Sequence, residues 1–167
     1  MLIYPKAYFR SVDKITIEFL KENKINALIL DVDNTLIDYY KNISDTTKQW
    51  ANELKKQGIK LHILSNTNHT EKVEKVANTL DIPYELFAKK PSKSGFLRVK
   101  KQLKEKSENI GAVGDQIFTD VIGGNRCKMY TILVDPVTPK DYWYTAWKRP
   151  IENIIKNRYI KKQKKEK

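Results

Sequence analysis

A chain of 167 residues with 40% apolar side chains is long enough for one packed domain and too apolar for wholesale disorder. Its single cysteine, Cys127, excludes an internal disulfide, fits a reducing cytoplasm and reads as a small buried side chain. The formal net charge is +12, and residues 140–167 carry ten Lys/Arg against three Asp/Glu; unless this is a Lys-rich composition bias, it points to an anionic partner, a nucleic acid or an acidic membrane surface.

The opening stretch, MLIYPKAYFRSVDK, is interrupted by Pro5, Lys6 and Arg10 and does not read as a signal peptide. The apolar run over 25–30 is far too short to span a bilayer. Taken in order, the pattern predicts a helix near 13–23, a strand at 25–31, a helix at 44–57 and a strand at 59–65. A helix at 69–80, a strand at 84–88, a helix at 93–106, a strand at 110–115, a helix at 117–125 and a strand at 129–135 follow. Gly58 reads as a helix stop, and Asn68 with Glu71 reads as a capping box. Strands alternating with helices predict an α/β fold with a mainly parallel, five-stranded sheet and helices on both faces. The last stretch, from Tyr142-Trp143-Tyr144-Thr145-Ala146-Trp147 through Ile151, Ile154, Ile155 and Tyr159, mixes aromatics with cations and suits a membrane interface. Tyr4, Tyr8 and Phe9 could join that patch, or these aromatics could instead finish the core at the sheet edge. The final KKQKKEK reads as frayed.

In an open parallel sheet, ligands bind at the carboxyl ends of the strands. Asp31, Ser65 and Asp115 end three of the predicted strands, and Lys90 follows a fourth. Asp33, two residues beyond Asp31, points the same way on an extended strand end. Three carboxylates offer hard oxygen ligands suited to Mg²⁺. A carboxylate nucleophile, a carboxylate acid/base, a hydroxyl, a cation and a metal are the parts that phosphoryl transfer requires.

Asp-Val-Asp-Asn-Thr (31–35), Ser-Asn-Thr (65–67), Lys-Lys-Pro (89–91) and Gly-Asp-Gln-Ile-Phe-Thr-Asp (114–120) resemble the four motifs of the haloacid-dehalogenase (HAD) superfamily, subfamily III A. Gly-Gly-Asn-Arg (123–126) adds a likeness to its YqeG-type branch, which is similar to phosphatidylglycerophosphate phosphatases. The resemblance implies a three-layer, Rossmann-like HAD fold. It implies that Asp31 forms an aspartyl-phosphate, that Asp33 moves protons, and that Mg²⁺ is held by Asp31, the Asp33 main-chain carbonyl and Asp115. Ser65 and Asn66 would bind phosphoryl oxygens, and Lys90 would neutralise them and Asp31. Asp120 and Thr35 would support the site from behind.

Only 33 residues separate Asp31 from Ser65, and 24 separate Lys90 from Asp115, which leaves no room for an inserted cap. A catalytic domain over 1–140 followed by a basic, aromatic extension over 141–167 is therefore expected to present an open site. Its substrate's phosphate would protrude from something large, such as a membrane to which a cytoplasmic protein binds peripherally. Two other readings are a soluble HAD phosphatase for a small or nucleic-acid phosphate ester, and a non-enzymatic RNA- or ribosome-associated protein. His62 reads as a packed residue and His69 as a neighbour of the site, while Arg126 either meets a second phosphate or ends a helix.

Overall fold

The computed structural model describes residues 1–165. Six strands form one sheet: β1 (Ala7–Phe9), β2 (Ala27–Leu30), β3 (Lys60–Leu64), β4 (Tyr84–Glu85), β5 (Ile110–Gly114) and β6 (Tyr130–Val134). Their order is β1-β6-β5-β2-β3-β4, and every pairing is parallel. Sequence reading predicted five of them and missed β1. That strand has only three residues, all half-buried, and no apolar run marks it. Strand β4 is shorter than the predicted 84–88, because Phe87 and Lys89 take left-handed backbone angles that end the ladder.

The sheet separates two cores, and β2 shows why. Leu28 and Leu30 face the cluster that α2 (Asp45–Lys56) supplies through Trp50, Ala51 and Leu54, and α3 (Thr70–Leu80) through Val73, Val76, Ala77 and Leu80. Ala27 and Ile29 face the opposite cluster, to which α4 (Lys93–Leu103) adds Phe96, Val99 and Leu103. Alternation along a strand buried on both faces produces this three-layer arrangement. The early helix is broken into a short turn at Val12–Lys14 and α1 (Ile17–Glu22), which is capped by Thr16.

Two local expectations are corrected. The Asn68–Glu71 capping box does not form: Thr67 N–H bonds the Ser65 hydroxyl oxygen and His69 N–H that of Thr67, so helix α3 begins only at Thr70, after an N-cap His69 without a side-chain bond. The predicted helix at 117–125 opens as a wide π-helical turn, Ile117–Val121, before α5 (Ile122–Arg126). Gly58, with φ of 81°, follows the C-cap of α2 as expected.

After β6 the chain passes over the strand ends, makes one turn of helix, α6 (Trp143–Ala146), and continues as α7 (Arg149–Lys165). The stretch expected to fray is thus helical through Lys165; Glu166 and Lys167 lie outside the described residues. Helix α7 is fastened to the sheet edge: Tyr159 donates its hydroxyl to the Lys6 carbonyl and packs on Tyr4, while Ile155 joins Ile117, Val121 and Leu133. Tyr8 donates to Asp135, and Phe9 packs edge-on to Phe19. The N-terminal aromatics therefore finish the core instead of joining an exposed patch. Among the described residues, no helix is long and apolar enough to cross a membrane.

Candidate active site

The strand order explains where the site must be. From β2 the chain runs outward to β3 and β4, then returns to the other side of β2 to lay down β5 and β6. Connections leave β2 and β5 in opposite directions, and a crevice opens at their carboxyl ends. Asp31, just past β2, is held to β5 by its own N–H on the Val113 carbonyl, at 3.0 Å. Asp115 directly follows β5, and Ser65 directly follows β3.

Lys90 is the centre of this crevice. Its Nζ donates to Asp31 Oδ1 and Asp120 Oδ1, each at 2.7 Å, and the side chain is buried. Burial alone would lower the pKa of this ammonium, but Asp120 and Asp31 outweigh it and hold the group above its ordinary value. Asp120 comes this close because the π-turn swings it back over β5, where a Cβ at position 114 would collide with its carboxylate; only glycine fits. Thr35 donates its hydroxyl toward Asp115 Oδ1, at 3.1 Å, and lies 3.4 Å from Asp31 Oδ2, so it braces both carboxylates.

One oxygen from each of Asp31, Asp115 and Asp120 lies within 4.8 Å of the others. Such a set of hard donors fits a Mg²⁺-type ion. Burial pushes the Asp115 and Asp120 carboxyls up, against the opposing pull of Arg149 on the first and Lys90 on the second. The carboxylate of Asp33 is turned away from this cluster and accepts from Lys72 Nζ at 2.6 Å. Burial, then the nearby charge of Asp31, raise the Asp33 carboxyl above its usual range, with Lys72 and Lys90 opposing.

The crevice opens into a cleft of about 610 Å³ whose walls include Asp31, Asp33, Ser65, Asn66, His69 and Lys90. Buried Ser65 keeps its hydroxyl proton free to donate, since its oxygen only accepts from Thr67 N–H. Asn66 is committed elsewhere: its amide donates to the Lys90 carbonyl and accepts from the Lys90 N–H, at 3.1 and 2.7 Å, and so fixes the loop that carries the lysine. Arg126 lies outside the cleft and bonds the Pro91 carbonyl. His62 is buried between the Ile63 carbonyl and Gln102. Cys127 is buried and free.

Sequence reasoning missed two cations and a wall. Lys72 and Arg149 are distant in sequence from the carboxylates they meet, and no local pattern flags such pairs. Arg149, at the start of α7, bonds both the Asp115 carboxylate and its carbonyl, grips Asp141 with two further N–H groups, and reaches Glu152. The wall is the strap over 136–148: Tyr142, Tyr144, Thr145 and Lys148 line the cleft. Asn34, within the first motif, ties the strap down. Its amide donates to the Lys140 carbonyl and Asp141, while its oxygen accepts from the Thr138 N–H and hydroxyl. The available signal was Asn34 itself, a polar residue between Asp33 and the run Thr35-Leu36-Ile37, whose buried position demands hydrogen-bond partners.

The family model for mitochondrial PGP phosphatase matches residues 1–138. A Bacillus subtilis (strain 168) protein, named probable phosphatase YqeG, is 37% identical over 152 residues, which cover 90% of this chain and 88% of that protein. An uncharacterized protein from Listeria monocytogenes serotype 4b superposes with a TM-score of 0.57 at 20% identity, over 71% of this chain and 85% of its own. The cobalt-bound deoxy-D-mannose-octulosonate 8-phosphate phosphatase (YrbI) of Haemophilus influenzae does so with 0.53 at 16% identity, over 83% and 91%. At such identities the solved structures bear on the fold alone. Fold and matches together define a phosphatase with a HAD-type fold. Within that class, the chain belongs to the PGP phosphatase family.

Proposed function

We propose that the protein is a Mg²⁺-dependent phosphomonoesterase that works through an aspartyl-phosphate and converts phosphatidylglycerophosphate to phosphatidylglycerol and phosphate. The observation that carries the reaction is the buried Lys90 shared by Asp31 and Asp120, beside Asp115 and at the floor of a cleft lined by Ser65. The family match and the YqeG likeness support the lipid substrate.

In this account Asp31 attacks phosphorus and forms the P–O bond to its carboxylate, while the bond to the glycerol oxygen breaks. Asp33 gives that oxygen its proton, and its raised pKa helps it hold the proton until then. Ionised Asp33 then takes a proton from water as the water attacks phosphorus, and the bond to Asp31 breaks to release phosphate. Lys90 and the Ser65 hydroxyl bind the equatorial oxygens. Asp31, Asp115 and the Asp33 carbonyl would hold Mg²⁺, with Asp120 adjacent; the ion would supply positive charge to the phosphoryl oxygens. Residues 1–140 form the catalytic body in this reading, and residues 141–167 form an extension that completes the cleft and carries the basic charge. The protein would work in the cytoplasm, peripherally on a membrane whose anionic phospholipid is its partner.

The test is phosphate release from phosphatidylglycerophosphate in mixed micelles, with Mg²⁺ or with chelator, beside a panel of soluble phosphate esters. Mg²⁺-dependent release that favours the lipid is expected. Release from soluble or nucleic-acid esters alone would overturn the lipid substrate while keeping the reaction.

A further inference from the structure

We propose that the rim of the cleft, and not the lysine-rich end of α7, is the surface by which this protein seats itself on an anionic lipid bilayer, with the cleft facing the headgroups. The proposal rests on the lipid reading above but concerns a different property, the docking face. Around the mouth, rings touch in an unbroken series: Tyr40 on Tyr39, Tyr39 on Tyr142, Tyr142 stacked on Tyr144, and Trp143 edge-on to Tyr144. The two ends of the series are left in water, Trp143 85% exposed and Tyr40 68%. Outside the series, Trp147, four residues beyond Trp143, is 66% exposed, and Phe87, on the cleft wall, is exposed as well. A contiguous exposed aromatic surface at a site's mouth marks a contact face.

Cations are placed among these rings. Lys140 Nζ lies 4.4 Å from the centre of the Tyr39 ring and 5.8 Å from that of Tyr40, and Lys148 Nζ lies 5.6 Å from that of Trp147. Trp and Tyr bodies with adjacent lysines match the chemistry of the lipid interface, where the rings enter and the ammonium groups meet phosphate. Three observations choose this occupant over others. A second copy would bring the same lysines face to face in a chain of net charge +12. A nucleic acid would use the ring faces, but Tyr142 and Tyr144 are stacked on each other, 7° from parallel. The strap also exposes the aliphatic Val137, which has no ring for a base to stack on but suits an acyl layer.

The chain has three tryptophans, and the third, Trp50, is 8% exposed in the core, so it serves as an internal reference. The experiment uses the full chain with vesicles of phosphatidylglycerol and phosphatidylcholine, against phosphatidylcholine alone, with and without brominated acyl chains. Expected are partition onto the anionic vesicles and quenching of tryptophan emission by the bromines. In Trp143→Ala/Trp147→Ala, partition should fall about tenfold or more and quenching should vanish, with hydrolysis of soluble p-nitrophenyl phosphate unchanged. Removal of residues 161–167 should weaken partition less than the double substitution. The proposal is overturned if the double variant binds like the wild type, if bound protein is not quenched, if removing 161–167 alone abolishes binding, or if the tryptophans instead hold a dimer or an oligonucleotide. Failure of the wild type to bind the anionic vesicles, alongside its hydrolysis of the micellar lipid, would sink the docking face and spare the substrate; vesicle binding by a wild type that hydrolyses only soluble esters would do the opposite.

Discussion

Arg149 joins parts of the molecule that the sequence keeps apart. Its guanidinium is shared among Asp115, Asp141 and Glu152, all nearly excluded from water. Removing one partner of such a cluster strands buried charge, which is far costlier than losing a surface ion pair. Arg149→Ala is therefore expected to lower unfolding stability by about 3 kcal/mol, read from the urea midpoint at constant slope. Arg149→Lys should recover only part of this, because an ammonium cannot grip Asp115 and Asp141 with a planar fork. A loss under about 0.5 kcal/mol in the alanine variant would mean that the cluster does not hold α7 to the site. The carboxylates themselves were legible, since Asp31, Asp33 and Asp115 follow apolar strands where charge demands a reason. Their cations Lys72 and Arg149 were not, because a lysine on an amphipathic helix looks like every other solvated lysine.

At the level of elements, the strap over 136–148 does for this capless fold what an inserted domain would do elsewhere, walling the cleft with Tyr142 and Tyr144. Asn34 is its fastening, and it sits at φ of 55° with its side chain fully used. Asn34→Ala removes those bonds and leaves an alanine in a left-handed turn, at a cost of about 2 kcal/mol. The strap should release first, so trypsin is expected to cut at Lys140 or Lys148 sooner than elsewhere and much faster than in the wild type. Cleavage at wild-type rates would contradict the fastening role. Sequence periodicity located the strands with long apolar runs, β2, β3, β5 and β6, because burial on both faces demands such runs. It failed at β1, whose three residues take their strand geometry from β6, and at the start of α3, where hydroxyls of Ser65 and Thr67 displaced the expected cap.

Across the whole molecule, the buried acidic cluster couples folding, protons and metal. Asp115 and Asp120 keep their protons to higher pH in the folded chain than in the unfolded one. In chelator, the fold therefore binds more protons than the unfolded chain and loses stability as pH rises above the ordinary carboxylate range. Magnesium needs these carboxylates ionised, and binding it releases the protons. The rise in melting temperature given by Mg²⁺ is expected to be larger at about pH 8 than at about pH 5.5. An equal rise at both would argue against metal held by this cluster.

The central claim is that Asp31 is phosphorylated during turnover. The direct test mixes enzyme with radiolabelled phosphate ester and Mg²⁺, quenches with acid within one turnover, and maps any bound phosphoryl group by mass spectrometry. Label is expected on Asp31 in the wild type, and neither label nor turnover in Asp31→Asn, whose amide cannot form the acyl phosphate. Turnover without any trapped phosphoryl group, or undiminished turnover by Asp31→Asn, would contradict it.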